Sequence, residues 1–176
     1  MSNDWKASVT VAAVIERGGR FLLVEEETED GLRLNQPAGH LDPGESLVHA
    51  VIRETLEETA YTFAPTALLG CYMGRWHNAA TPTRAGSDTT FVRFAFTGDL
   101  GQPDDGRQLD TGIVRTVWMT AEEIRACPER HRTPLLLACV NDYMAGKRFA
   151  LDALYTHPSV TAPAPALAPT APGGAS

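Results

Sequence analysis

Residues 39–61 read GHLDPGESLVHAVIRETLEETAY, turn residues followed by a helical segment that carries Glu54, Glu57 and Glu58 near its end. At ~100° per residue, Leu47, Val48, Val51, Ile52 and Thr55 fall within an arc of about 140°, the face expected to pack on a sheet. The three glutamates share a different arc of about 100°. Like charges spaced i,i+3 and i,i+4 destabilise a helix by a few tenths of a kcal/mol per pair. They also stand at the helix C-terminus, where the macrodipole disfavours anions. A hard divalent cation such as Mg²⁺ or Mn²⁺, which takes oxygen ligands, reverses both penalties. The bland alternative is a solvated acidic face.

The rest of the chain supplies the sheet. SVTVAAVIE (8–16) and RFLLVEE (20–26) are β-branched, apolar runs around Arg17-Gly18-Gly19, which predicts a hairpin. EETEDGLRL (26–34) reads as a polar, acidic connector, and NQPAGHL (35–41) as a short Gly/Pro-marked lead into a helix from about Ser46. Strands are expected at 66–76, 89–100 and 113–120, with a long loop at 77–88. A short helix follows at 121–126, capped by Thr120 with Glu123 in the reciprocal position, and a longer one at 133–147. Interleaving without a strict βαβ rhythm predicts one α/β domain on a mixed sheet, spanning residues 1–156. From His157 the chain loses every Asp, Glu, Lys and Arg, and its Ala/Pro alternation predicts a disordered tail over 157–176.

Composition excludes several functions. With 15 Lys+Arg against 22 Asp+Glu the net charge is −7, and no basic cluster exists to neutralise a nucleic acid polymer. No apolar run approaches the ~18–20 residues of a membrane span, and MSNDWKAS lacks the pattern of a secretory signal. Cys71, Cys127 and Cys139 fit neither a disulfide framework nor a metal spacing, so a cytoplasmic protein, monomer or homodimer, is expected.

The residues around the acids carry a resemblance. Gly39 is followed after five residues by Glu45, after seven more by Arg53-Glu54, and after two more by Glu57-Glu58. This is the Nudix box, and the chain resembles the Nudix hydrolase family there. Ala60 and Tyr61 depart from the glycine and aliphatic residue that usually close the motif. VTVAAVI, RFLLVEE, NQPAGHL and VWMTAEEI extend the likeness over roughly residues 8–150, toward Nudix phosphatases of the NudJ type. Those enzymes act on thiamine pyrophosphate and on nucleoside tri- and diphosphates.

The resemblance implies an α/β/α sandwich and hydrolysis of a pyrophosphate linkage in a small molecule. It implies Glu54, Glu57 and Glu58 as Mg²⁺ (or Mn²⁺) ligands with the Gly39 carbonyl, and Glu54 or Glu57 as general base. Arg53 would hold the carboxylates by forked hydrogen bonds. Glu45 is either a structural cap or part of the metal site, and Asp110, in QLDTGIVR, is a further acid to consider. His40 and His49 read as a loop and an outward-facing histidine. Trp76 and Tyr72 either stack on the substrate's ring or pack in the core, and Asn35 and Gln36 are further contact candidates. Competing readings are a Nudix hydrolase for ADP-ribose or diadenosine polyphosphates, a non-catalytic nucleotide sensor, and a calcium site. A sensor usually loses a metal glutamate and this chain has kept all three; a calcium loop is absent.

Overall fold

The computed structural model describes residues 5–78 and 86–162. Among the described residues, eight strands and three α-helices form two sheets held between helices. The strands are β1 (Ser8–Ala13), β2 (Glu16–Arg17), β3 (Arg20–Thr28), β4 (Gly31–Asn35), β5 (Ala38–His40), β6 (Tyr61–Asn78), β7 (Ser87–Pro103) and β8 (Ile113–Thr120). The helices are α1 (Leu47–Thr59), α2 (Ala121–Arg125) and α3 (Leu135–Met144). One sheet runs β5-β1-β7-β6, with β1 and β7 parallel and the other pairs antiparallel. In the other, β3 pairs β2 and β4 along one edge and β8 along the opposite edge.

Period-two alternation divides the apolar residues between two cores. Val11, Ala13, Ile15 and Leu22 face α1 with Ala50, Val51, Phe63 and Phe96. Val14, Phe21 and Leu23 face α2 and α3 with Ile124, Leu136, Cys139 and Val140. This is the expected α/β/α arrangement. All three cysteines are free, and burial pushes the Cys139 thiol up to about 12.

Two local expectations are corrected. The hairpin at Gly18-Gly19 forms, with φ +60° and +79° as a tight two-residue turn requires, but its first arm is only Glu16–Arg17. The preceding residues cross to the first sheet: Val14 N–H bonds Phe96 O at 2.7 Å, while Leu22 N–H bonds Ile15 O at 2.9 Å. One apolar run therefore serves both sheets. The acidic segment 26–34 is a second hairpin, β3–β4, not a connector. Gly31 takes φ +91° and the Thr28 hydroxyl donates to Gly31 O at 2.7 Å, closing the turn around Glu29-Asp30.

The strands expected at 66–76 and 89–100 are both longer than their apolar cores, reaching 61–78 and 87–103. Residues 79–85 of the expected loop, including Arg84, lie outside the described residues, as do 163–176 of the expected tail. Residues Pro158–Val160 form an exposed 3-10 turn.

Candidate active site

Helix α1 begins where its sequence says it should: the Ser46 side chain accepts from His49 N–H at 3.1 Å. Its buried side is not the purely apolar arc expected. Ala50, Val51, Glu54, Thr55 and Thr59 are buried, whereas Leu47, Val48 and Ile52 are half-buried. Ala50, Glu54, Glu58, Val51 and Thr55 share an arc of about 140°, so Glu54 and Glu58 project inward between apolar neighbours. Glu57 stands at its margin. The reason is β5, which folds over this part of the helix and covers the acids. A Cβ on Gly39 would lie 2.1 Å from the Glu54 carboxyl, so glycine leaves the room that this carboxyl occupies.

Arg53 organises the carboxylates. Its Nε and Nη2 donate to the two oxygens of Glu45 at 3.0 and 2.7 Å. Its Nη1 donates to Glu54 Oε1 at 2.8 Å and to Glu57 Oε2 at 3.0 Å, and Nη2 also reaches His40 O at 3.0 Å. Glu45 in turn accepts from Asp42 N–H at 2.7 Å, and its carboxyl is held below the usual range chiefly by Arg53. Glu45 thus braces the guanidinium and does not line the cavity. Glu58 accepts from Ala38 N–H at 2.8 Å, yet burial, with the charges of Glu54, Glu26 and Asp110, pushes its carboxyl up to about 8. Burial also raises Glu54. Asp110 donates its N–H to Glu57 O at 3.0 Å and adds negative potential without lining the cavity.

Glu54, Glu58, Gly39 and His40 form one side of a cavity of about 400 Å³. Among the other candidates, Asn35 and Trp76 line it. Tyr72 and Gln36 do not. Tyr72 OH donates to Asp142 Oδ2 at 2.9 Å, and Gln36 Nε2 donates to Leu136 O at 2.9 Å, so both brace the wall from α3. The sequence reading missed Thr10, Glu26, Phe91, Arg93, Arg132, Thr133 and Leu135, which complete the lining. One signal was available: Arg93 interrupts the apolar run FVRFAF, where a strand interior rarely keeps a charge without a purpose.

The NUDIX domain family model matches residues 5–137. This chain belongs to the Nudix hydrolase family. It is 36% identical to the phosphatase NudJ of Escherichia coli K12 over 148 residues, 84% of this chain and 90% of the relative. A solved Nudix hydrolase from Nitrosomonas europaea is 48% identical and covers 86% of this chain and 98% of its own, with a TM-score of 0.74. A MutT Nudix hydrolase from Burkholderia pseudomallei, 20% identical, covers 78% of this chain and 98% of its own at a TM-score of 0.60, a likeness of fold alone.

As a Nudix hydrolase the protein acts on pyrophosphate bonds. The family generally uses divalent metals such as Mg²⁺. The donors around Gly39 suit such an ion: they are hard oxygens, and the buried Glu54 and Glu58 resist ionisation until a positive charge offsets their desolvation. Among the described residues no three His, Cys, Asp or Glu side chains are gathered closely enough to hold an ion as they stand, and Arg53 engages Glu54 and Glu57 directly.

Proposed function

We propose that this enzyme hydrolyses thiamine pyrophosphate or its pyrimidine pyrophosphate precursor in a Mg²⁺-dependent reaction, with slower hydrolysis of nucleoside di- and triphosphates. The observation that carries the reaction is the convergence of Glu54, Glu58 and Gly39 on one wall of the cavity, with Arg53 bridging Glu45, Glu54 and Glu57 behind them. Glu54, Glu57, Glu58 and the Gly39 carbonyl would hold the cation, Mg²⁺ or Mn²⁺. When bound, it screens the phosphate charge and orients the pyrophosphate for attack. Glu54 is the residue we assign as general base, since it lines the cavity and Glu57 does not. Arg53 fixes its rotamer through the Nη1 hydrogen bond to Glu54 Oε1. Likeness to NudJ phosphatases supports the preference for phosphorylated metabolites over polymers.

Phosphate release from thiamine pyrophosphate, several nucleotides, ADP-ribose and diadenosine polyphosphates, with Mg²⁺ and with chelator, tests the assignment. Turnover should vanish with chelator. Glu54→Gln should fold normally and lose at least ~10²-fold in kcat, the usual worth of a general base. Retention of more than about a tenth of wild-type turnover by both Glu54→Gln and Glu57→Gln would place the reaction elsewhere. An ADP-ribose kcat/KM about a hundredfold above all other substrates would sink the substrate assignment.

A further inference from the structure

Three buried side-chain polar atoms among the described residues have no hydrogen-bond partner: Thr10 Oγ1, Arg93 Nε and Glu26 Oε1, the last with only a long ion-pair contact to Arg132 Nε at 3.9 Å. All three residues line the same cavity as Glu54 and Glu58. A buried polar atom left unpaired costs ~1–3 kcal/mol, more for a charged group, so native proteins keep few of them and seldom gather them. Arg93 is only 6% exposed, and among the described residues no carboxylate forms an ion pair with it. Its Nη1 reaches Asn35 Oδ1 and Gln36 Oε1 at long distances, 3.4 and 3.3 Å. Burial lowers its proton affinity, as expected for a cation that lacks a close partner.

The sheet explains how these residues meet. Thr10 on β1 is in register with Arg93 on β7, and Arg93 with Tyr72 on β6, so their side chains leave the same face. Two residues outward on that face, Phe91 is in register with Gly74. Trp76 folds back over Gly74, whose added Cβ would lie 2.4 Å from the indole, and meets Phe91 edge-on at 5.2 Å. The cavity therefore has an acidic wall at one side, a flat aromatic wall, and a floor offering a guanidinium donor, a carboxylate acceptor and a hydroxyl.

We propose that Arg93, Glu26 and Thr10 are specificity-determining residues that read the edge of the substrate's organic group. That group is a flat heteroaromatic ring with a hydrogen-bond donor beside an acceptor, laid against Trp76. This deepens the function proposed above and rests on it for the location of the pyrophosphate. Arg93 Nε donates to the ring acceptor, Glu26 Oε1 accepts from the ring donor, and Thr10 adjusts to either role by rotating its hydroxyl. A site built this way rejects a substrate without the ring because its own buried groups stay unpaired.

The test is calorimetric binding in Mg²⁺ with probes that contain no pyrophosphate bond, which keeps catalysis out of the readout. The probes are cytidine 5′-monophosphate and ribose 5-phosphate, which share the sugar phosphate and differ at C1′, where one carries the base and the other a hydroxyl. The wild type should prefer the nucleotide by about tenfold or more. Arg93→Gln and Glu26→Gln should each cut that preference to about twofold while leaving ribose 5-phosphate affinity unchanged. Arg93→Lys, which keeps charge but loses the Nε donor, and Thr10→Val should lower it too, and they decide the matter if Arg93→Gln fails to fold. No preference in the wild type would overturn the proposal. So would an equal weakening of both probes, the mark of a purely structural role. Full nucleotide preference in a protein that releases no phosphate from any pyrophosphate would instead remove the proposed reaction and leave this subsite standing.

Discussion

Ala60 is the only described non-glycine residue in the left-handed region, at φ +60° and ψ +11°. It closes α1 by donating its N–H to Leu56 O at 2.9 Å, in the place where the family motif has glycine. A Cβ costs ~1 kcal/mol in that conformation. Ala60→Gly should therefore stabilise the protein by about 1 kcal/mol, or about 2–4 °C in melting temperature for a chain of this size. A lower unfolding midpoint would mean that the gain in unfolded-chain entropy outweighs the relieved strain. Gly39 poses the opposite case. Its missing Cβ leaves room for the Glu54 carboxyl, the tip of a flexible side chain. Gly39→Ala should shift the melting temperature by less than about three degrees yet cost on the order of a hundredfold in kcat/KM, because Glu54 must leave its place. Full activity in that variant would show that the position of Glu54 does not matter to turnover.

Among elements, β3 carries an ion-pair clamp independent of the cavity. Glu25, 4% exposed, accepts from Arg115 Nε on β8 at 2.7 Å and from Arg130 Nη2 at 2.6 Å, in the turn before α3. Arg115 chiefly, and Arg130 with it, hold its carboxyl below the ordinary value of 4.5. A carboxylate depressed by folding gives stability that is complete above its unfolded pKa and lost as pH falls through its folded one. Glu25→Gln should therefore be destabilising at about pH 7, with a penalty that shrinks as the pH falls below 4.5 in denaturant titrations. A penalty constant across that range would assign the effect to packing. The clamp joins residues 90 and 105 positions apart, which explains why no local pattern announced it. The same holds for Arg93 and Thr10, brought together by parallel pairing of β1 with β7. What could be read locally was read: the helix start near Ser46, the Thr120–Glu123 capping box, the Gly18-Gly19 turn and the i,i+3 and i,i+4 acids of α1. The β3–β4 hairpin was missed because Glu26, Glu27, Glu29 and Asp30 look like a solvated connector. In the fold, Leu34 and Asn35 bury its base while its tip stays polar.

At the scale of the whole molecule, the boundary between the folded unit and the Ala/Pro-rich end can be placed by what touches the core. No described helix is long and apolar enough to cross a membrane. Phe149 exchanges backbone hydrogen bonds with Leu68 at 2.8 and 2.9 Å, which pins the chain after α3 to the edge of β6. Leu151 and Leu154 then pack against the core beneath α1, whereas Tyr155 is 82% exposed and the described residues from 156 to 162 are exposed as well. A protein ending at Tyr155 should keep its activity and melt within about two degrees of the full chain, since nothing described beyond that point covers apolar surface. One ending at Gly146 loses two leucines and two edge hydrogen bonds. Full burial of a leucine is worth ~1.5–3 kcal/mol, so even half of that, twice over, should lower the melting temperature by about five degrees or more. A drop of several degrees on removing residues 157–176 alone would show that the terminal segment docks on the folded unit or on a second copy of it.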